Sequence, residues 1–351
     1  MSVDYSEKIL TVKDLEVQFN LRGQVLTAIR GISLDIYKGE SLAIVGESGS
    51  GKSVFTKTFM GMLDKNGKVT KGEILYNGMD LAKFGSEKDW LKIRGREIAM
   101  VFQDPMTSLN PLKTVGKQIQ EALELHQNLH GRAARERTIE ILSDVGIAEP
   151  ERRYKQYPHE FSGGMRQRAV IATAIACNPN ILICDEPTTA LDVTIQAQII
   201  ELLEQLQKKY RLTIIYITHD LGVVAKVADR IAVMYAGDII EIGLCNEIFY
   251  NPQHPYTWAL LSSLPQLGIK GEPLYSIHGT PPNLFKEIKG DAFAPRNPRA
   301  LNIDYVIPPY FEVSPTHYAK TWLLDPRSPK IEPPAIIQRL RDRWKEANPN
   351  V

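Results

Sequence analysis

The stretch Gly46-Glu47-Ser48-Gly49-Ser50-Gly51-Lys52-Ser53 constrains this chain more than any other. It fits the pattern G-x-x-x-x-G-K-S/T without a mismatch. Its flanks fit as well: Ser41–Val45 is a short apolar run suited to a buried strand, and Lys52–Leu63 reads as a helix. Strand, glycine-rich loop and helix in that order make a phosphate cradle. Glycines at 46, 49 and 51 let successive backbone N–H groups turn inward on an anion, and the helix start adds partial positive charge. Lys52 brings a full charge to the β- and γ-phosphates of a nucleotide, and the Ser53 hydroxyl suits Mg²⁺. The plainer reading is a glycine turn ahead of an ordinary helix, and three later stretches weigh against it.

Each of those stretches is an apolar run that ends in polar chemistry. Ile98–Val101 leads to Gln103, Ile181–Cys184 to Asp185 and Glu186, and Thr213–Thr218 to His219. The carboxyl ends of buried parallel strands are where α/β proteins bind ligands. Two adjacent carboxylates repel, so a cation is the expected compensation. Asp185 suits a Mg²⁺ contact, and Glu186 suits a base that orients and deprotonates water. A lone histidine is more often structural than catalytic; His219 gains weight by ending a third strand at the same edge.

The remaining chain supplies context. Residues 9–45 alternate apolar and polar, as in a half-buried antiparallel sheet. Phe19 falls in that stretch, where a core aromatic at strand spacing is the default reading. Gly72–Asp80 reads as strand and turn, and Asp89–Arg96 as a short helix. Apolar residues at helical spacing over 112–147 indicate a helical subdomain, placed at about 104–178. Ser162-Gly163-Gly164 opens a helix that runs to about Ala176, with Ser162 as its N-cap. Val193–Lys208 reads as a helix and Arg230–Gly243 as a hairpin about Ala236-Gly237. Beyond Gln266, prolines crowd the chain, from Pro273 and Pro281-Pro282 to Pro333-Pro334. They mark a loop-rich extension over 266–351 that ends in a charged helix, Ala335–Ala347, expected to be solvated.

Composition narrows the partners. A formal net charge of +1 over 351 residues gives no electrostatic footprint for nucleic acid. Three cysteines, Cys177, Cys184 and Cys245, fit free thiols in a reducing compartment. The first residues carry acids and no apolar core, unlike a secretion signal. No run approaches the roughly 20 apolar residues that cross a bilayer. The expected location is therefore the cytoplasmic face of the cell membrane, reached by docking.

Together these motifs resemble the nucleotide-binding subunit of an ATP-binding-cassette transporter. Gly46–Ser53 matches its Walker A motif, Gln103 its Q-loop and Ser162-Gly163-Gly164-Met165 its signature. Ile181–Glu186 matches Walker B, Ala190-Leu191-Asp192 the D-loop and His219 the switch histidine. Phe161 and Met165 replace the usual Leu and Gln of the signature, but the phosphate-facing Ser-Gly-Gly is intact. Phe102–Pro111, Asn251–Thr257 and Gly279–Pro282 are similar to the oligopeptide/dipeptide permease branch, closest to the D-type ATPases of Gram-positive oligopeptide permeases. The fold implied is an α/β phosphate-loop ATPase core over 1–265, with an antiparallel β subdomain, an inserted helical subdomain and the proline-rich C-terminal extension.

The resemblance implies a mechanism. Two cassettes close head to tail around two ATP molecules with Mg²⁺. Each site joins Walker A, Asp185, Glu186, Gln103 and His219 of one subunit to the signature of the other, with Phe19 in the place of the adenine-stacking aromatic. The implied partners are a second ATPase, expected to be a paralogue, two transmembrane permease subunits and an extracellular peptide-binding protein. Cargo of a related kind, such as dipeptide, nickel or glutathione, stays open. A chromosome-maintenance ATPase would need a long coiled coil between Lys52 and Ser162, where no heptads are sustained; a ribosome-associated one would need two cassettes. Many relatives also carry four cysteines in the extension around an iron–sulfur cluster. The matching positions here are Asp291, Asn297, Asp304 and Thr321, with the two aspartates read as solvated loop acids rather than a divalent-cation pair. Oxygen and amide groups do not replace four thiolates, so no iron–sulfur cluster is expected.

Overall fold

The structure, a computed structural model, describes residues 3, 5–189, 191–267 and 276–347. Ala190 of the D-loop and Pro273 lie outside the described residues. In chain order the strands are β1 (Lys8–Leu21), β2 (Gln24–Tyr37), β3 (Ser41–Val45), β4 (Gly67–Tyr76), β5 (Met79–Asp80) and β6 (Ile98–Val101). They continue with β7 (Ile181–Asp185), β8 (Thr213–Thr218), β9 (Arg230–Tyr235), β10 (Asp238–Leu244), β11 (Phe311–Ser314) and β12 (His317–Ala319).

Two sheets result. The first is antiparallel, in the order β2-β1-β4-β5, and its half-buried strands show the alternation read from the sequence. The second runs β11-β12-β10-β9-β3-β8-β7-β6. From β9 to β6 its neighbours are parallel, and every residue of β3, β6, β7, β8 and β9 is buried. Strands buried on both faces read as continuous apolar runs, which is why the sequence announces them without alternation. Successive side chains still go to opposite faces. Leu42, Ile44, Ile183 and Ile217 pack with the antiparallel sheet's Val12, Leu15 and Ile29. Ala43, Val45, Leu182 and Ile214 pack with helical residues such as Ile119, Ile171 and Leu203. One sheet thus supports two cores, each buried Ile or Leu contributing roughly 1.5–3 kcal/mol.

The helical layer comprises Val115–Gln127, Gly131–Asp144 and Gly163–Ile175, packed on one another. The helix after the glycine loop is shorter than its sequence pattern: it spans Lys52–Thr58 and then turns through Gly61, at φ 59°. A Cβ on Gly61 would stand 2.2 Å from Trp90 Cε2, so close ring packing stops the helix there. The next helix is Glu87–Trp90 rather than Asp89–Arg96, because Ser86 Oγ accepts from Asp89 N and fixes an earlier start.

Two expectations for the extension need correction. The final helix, Ala335–Ala347, is solvated on its charged face alone: Arg339, Asp342, Arg343, Lys345 and Glu346 are exposed, but Ile337 is fully buried, and Trp344 stacks on Tyr250 at 4.8 Å between ring centroids. Nor are Asp291 and Asp304 solvated loop acids; both side chains are buried. With Asn297 and Thr321 they share one local role. Asp291 accepts from Phe293 N, Asn297 from Arg299 N, Asp304 from Leu301 N and Thr321 from Leu323 N. Each side chain closes a turn on its own backbone. The extension also enters the large sheet, since β12 pairs antiparallel with β10. Beneath that pairing the fully buried Glu241 accepts from Gln253 N (2.6 Å), His254 N (3.0 Å) and His317 Nε2 (2.8 Å). Three donors leave this carboxylate satisfied despite its burial. Among the described residues, no helix is long and apolar enough to cross a membrane.

Candidate nucleotide site

The order β3-β8-β7-β6 brings the carboxyl ends of four parallel strands to one edge. The loop Gly46–Gly51 leaves β3 there. Gly46 has φ 152°, and a Cβ on it would stand 2.1 Å from Met234 O. Gly51, at φ 101°, would bring a Cβ within 2.9 Å of Ala28 O. Only glycine lets the loop run this close to its neighbours. Lys52 is 7% exposed, and its Nζ donates to Gly46 O (2.8 Å) and Glu47 O (2.9 Å). The ammonium is thereby held inside the curve of the loop. Ser50 Oγ is buried there without a hydrogen-bond partner.

The strand alongside, β7, brings two adjacent carboxylates to this edge, Asp185 and Glu186. Ser53 Oγ donates to Asp185 Oδ1 at 3.0 Å. Glu186 follows in left-handed backbone (φ 47°), with its N–H on Ile217 O of β8. Its Oε2 accepts from Gln103 Nε2 (2.9 Å) and Thr189 Oγ1 (3.0 Å), and its Oε1 lies 3.1 Å from His219 Nδ1. Gln103, Glu186 and His219, which the sequence places on three separate strands, form one hydrogen-bonded set.

Electrostatics show what this edge is short of. Burial pushes the Lys52 pKa down, against the opposing pull of Glu186, Asp185 and Glu47. Burial pushes the Asp185 carboxyl up, and Glu186 adds to it, while the Ser53 hydrogen bond, Lys57 and Lys52 resist. An anion beside Lys52 and a cation beside Asp185 relieve both strains. The donors Ser53, Asp185 and Gln103 are all hard oxygens, the chemistry that suits Mg²⁺.

The other candidates lie around this centre. Ser162 Oγ accepts from Met165 N (3.3 Å) and starts the helix Gly163–Ile175 at an exposed position. Gly163 and Gly164 meet Leu191 and Ile195, just past the carboxylate pair. Asp192 occupies the N-cap position of the helix Val193–Tyr210 yet makes no capping hydrogen bond and is exposed. Phe19 is 9% exposed in the antiparallel sheet, its ring against Gly67. It pairs with Leu26, two residues from the Ala28 that meets Gly51. The Glu47 side chain turns away from the loop's interior to Arg296 of the extension, and Glu47 N donates to Tyr256 Oη (2.8 Å). Thr189, Tyr256 and Arg296 were not singled out from the sequence; no local pattern links positions as far apart as 47 and 296. A cleft of about 650 Å³ lined by Tyr5, Tyr37, Arg230 and Tyr310 lies by the amino ends of β3 and β9, remote from this chemistry.

A phosphate loop, a strand-end carboxylate pair and a glutamine and a histidine converging on the second carboxylate define an ATPase of the ATP-binding-cassette class. The family model for ABC transporters matches residues 29–189, and that for the oligopeptide/dipeptide transporter C-terminal region matches residues 240–303. The oligopeptide transport ATP-binding protein AmiE of Streptococcus pneumoniae is 58% identical over 96% of both chains. OppD of Bacillus subtilis is 57% identical over 94% of this chain and 93% of its own. The dipeptide transport ATP-binding protein DppD of Lactococcus lactis is 56% identical over 97% and 98%. The chain belongs to the family of oligopeptide and dipeptide transport ATP-binding proteins. Among solved structures, a dimeric ATP-binding cassette in a post-hydrolysis state, bound to ADP and Pi, superposes with a TM-score of 0.60. It is 28% identical and covers 67% of this chain and 98% of its own.

Proposed function

We propose that this chain is the ATP-hydrolysing subunit that powers import of oligopeptides through a membrane transporter. The observation that carries the reading is the grip on Glu186, held by Gln103, Thr189 and His219 beside the Ser53–Asp185 pair. In this reading Lys52 and the backbone of Gly46–Gly51, with Ser48 and Ser50, hold the triphosphate. Ser53, Asp185 and Gln103 hold Mg²⁺, which neutralises charge on the phosphate oxygens when bound. Glu186 orients a water molecule and accepts its proton, and His219 fixes the carboxylate from the opposite side. Phe19 is the proposed adenine platform.

The signature Ser162-Gly163-Gly164 and Asp192 serve the nucleotide of a facing cassette. The exposure of Ser162 and Asp192, and the uncapped carboxylate of Asp192, support that assignment. The proposed organisation is an ATPase core over 1–265, with its helical subdomain at 104–178, and an extension over 266–351. The proposed partners are a second, paralogous ATPase and two transmembrane permease subunits at the cytoplasmic face of the membrane, fed by an extracellular peptide-binding protein. The test is reconstitution. ATP hydrolysis by the isolated chain should be slow and should rise when both permease subunits and the second ATPase are present in vesicles, together with peptide uptake. Full activity of the lone chain, independent of its concentration, rules the shared-site reading out.

A further inference from the structure

The phosphate loop is held from outside as well as from within. Arg296, in the extension, closes a two-point bridge on the Glu47 carboxylate, with Nη1 at 2.6 Å from Oε2 and Nη2 at 3.1 Å from Oε1. The Arg296 side chain is only 6% exposed. Its Nη1 also donates to Tyr235 Oη (3.0 Å), its Nε donates to His278 O (2.9 Å), and its guanidinium lies over the Phe293 ring. All of its contacts therefore aim the guanidinium at residue 47. Pro281, Pro282 and Leu284 line a small cavity with Glu47, Ser48, Gly49 and Ser50, and Leu284 O accepts from Thr27 N of β2.

Glu47 is the link that turns this strap into a functional contact. Its carbonyl accepts from Lys52 Nζ, its N–H donates to Tyr256 Oη, and its carboxylate meets Arg296. The peptide on which the Lys52 ammonium rests is thus anchored by the extension. We propose that Arg296 is a positioning residue for the phosphate loop, through which the C-terminal extension sets the affinity of the site for ATP. A desolvated two-point guanidinium–carboxylate bridge is directional, and lysine cannot reproduce it. Without it the Glu47 peptide samples orientations in which Lys52 and the loop N–H groups no longer converge, and binding must first restore the aligned state.

The inference rests on the reading of Gly46–Ser53 as the ATP site. The test titrates a non-hydrolysable ATP analogue with Mg²⁺ into the full chain by calorimetry, recording the thermal midpoint of each variant. The variants are Arg296→Met, Arg296→Lys, Glu47→Gln and the double variant, with Lys52→Ala as the site control. Arg296→Met should weaken binding about tenfold, the scale of one lost charge-assisted bridge. Arg296→Lys should fall between, and the double variant should be no worse than the singles, because both remove one interaction. Affinities within twofold of the unsubstituted chain for both Arg296→Met and Glu47→Gln overturn the proposal. So do single-variant losses that add, which indicate general softening of the fold. If Arg296→Met does not fold, Glu47→Gln decides, since it keeps a hydrogen bond to Arg296 and removes only the charge. An unsubstituted chain that binds no nucleotide, or a Lys52→Ala chain that binds it equally well, overturns the ATP-site reading and this proposal with it.

Discussion

Replacing Glu186 by glutamine separates holding the site together from proton abstraction. The geometry fixes what the substitution can do. In the native chain one carboxylate oxygen accepts from Gln103 and Thr189 and the other faces His219 Nδ1. A glutamine with its carbonyl toward Gln103 and Thr189 keeps both of those bonds. Its amide then donates to His219 Nδ1, which a neutral ring with its proton on Nε2 accepts. All three contacts survive, so stability should change by no more than about 0.5 kcal/mol. The proton acceptor is gone, and hydrolysis should fall roughly 10²–10⁴-fold, the range for a lost general base. That corresponds to about 3–5 kcal/mol on the barrier. The assay is phosphate release in a single turnover of the assembled transporter, with ATP affinity measured on the same preparation. ATP should bind at least as tightly, because a negative charge has left the neighbourhood of the phosphates. Turnover within threefold of the native rate refutes the role of Glu186 as base. Loss of ATP binding together with hydrolysis refutes it as well, by showing that the carboxylate holds the site together.

Other consequences follow from the same contacts. Lys52→Ala removes the ammonium held on Gly46 O and Glu47 O, and titration calorimetry should show ATP binding weakened by at least tenfold, the scale of a lost charged hydrogen bond. Glu40 is fully buried and its pKa stands at about 7, raised by burial against the pull of Arg230. The folded chain therefore holds a proton there that the unfolded chain releases near 4.5, so stability should fall as pH rises from about 4.5 to about 7. Thermal midpoints across that window should show this slope in the native chain and lose it in Glu40→Gln. Protein purified anaerobically should be colourless, and iron and acid-labile sulfide at cluster stoichiometry would contradict the reading of Asp291, Asn297, Asp304 and Thr321.

Much of the candidate nucleotide edge was legible in the sequence because each piece carries its own signal. β3, β6, β7 and β8 are buried on both faces and show as bare apolar runs, and a polar residue at the end of such a run marks where the strand leaves the core. The grip on Glu186 was not legible in one part: Thr189 holds the carboxylate from three residues on, and nothing in a threonine of that loop announces it. The extension was harder. Proline frequency correctly marks its irregular course but hides β11 and β12, which are only four and three residues long; β12 exists by pairing with β10, far away in sequence, and β11 by pairing with β12. The charges of Ala335–Ala347 likewise mask Ile337 and Leu340, whose burial depends on the surface they meet. Glu47 shows the limit most clearly, since its backbone belongs to a motif and its side chain to a partner 249 positions later.

The short pair β11–β12 has a consequence for solubility. Without it, the seven-residue β10, paired on its inner side with β9, would present the outward N–H and C=O groups of alternate residues along the rim of the large sheet, an open template for another chain. β12 pairs with that rim at Glu241 and Ile242, and Lys320 N adds a bond to Ile240 O just beyond. The new outer strand is a poor template in its turn. β11 is four residues long, preceded by Pro308-Pro309 and followed by Pro315, and proline has no N–H to offer a neighbour. Lys320, paired with Asp238, sets a charge beside the same margin. The proline-rich tail thus ends the sheet with residues that refuse further strands, and a chain cut before Phe311 should tend to associate through β10.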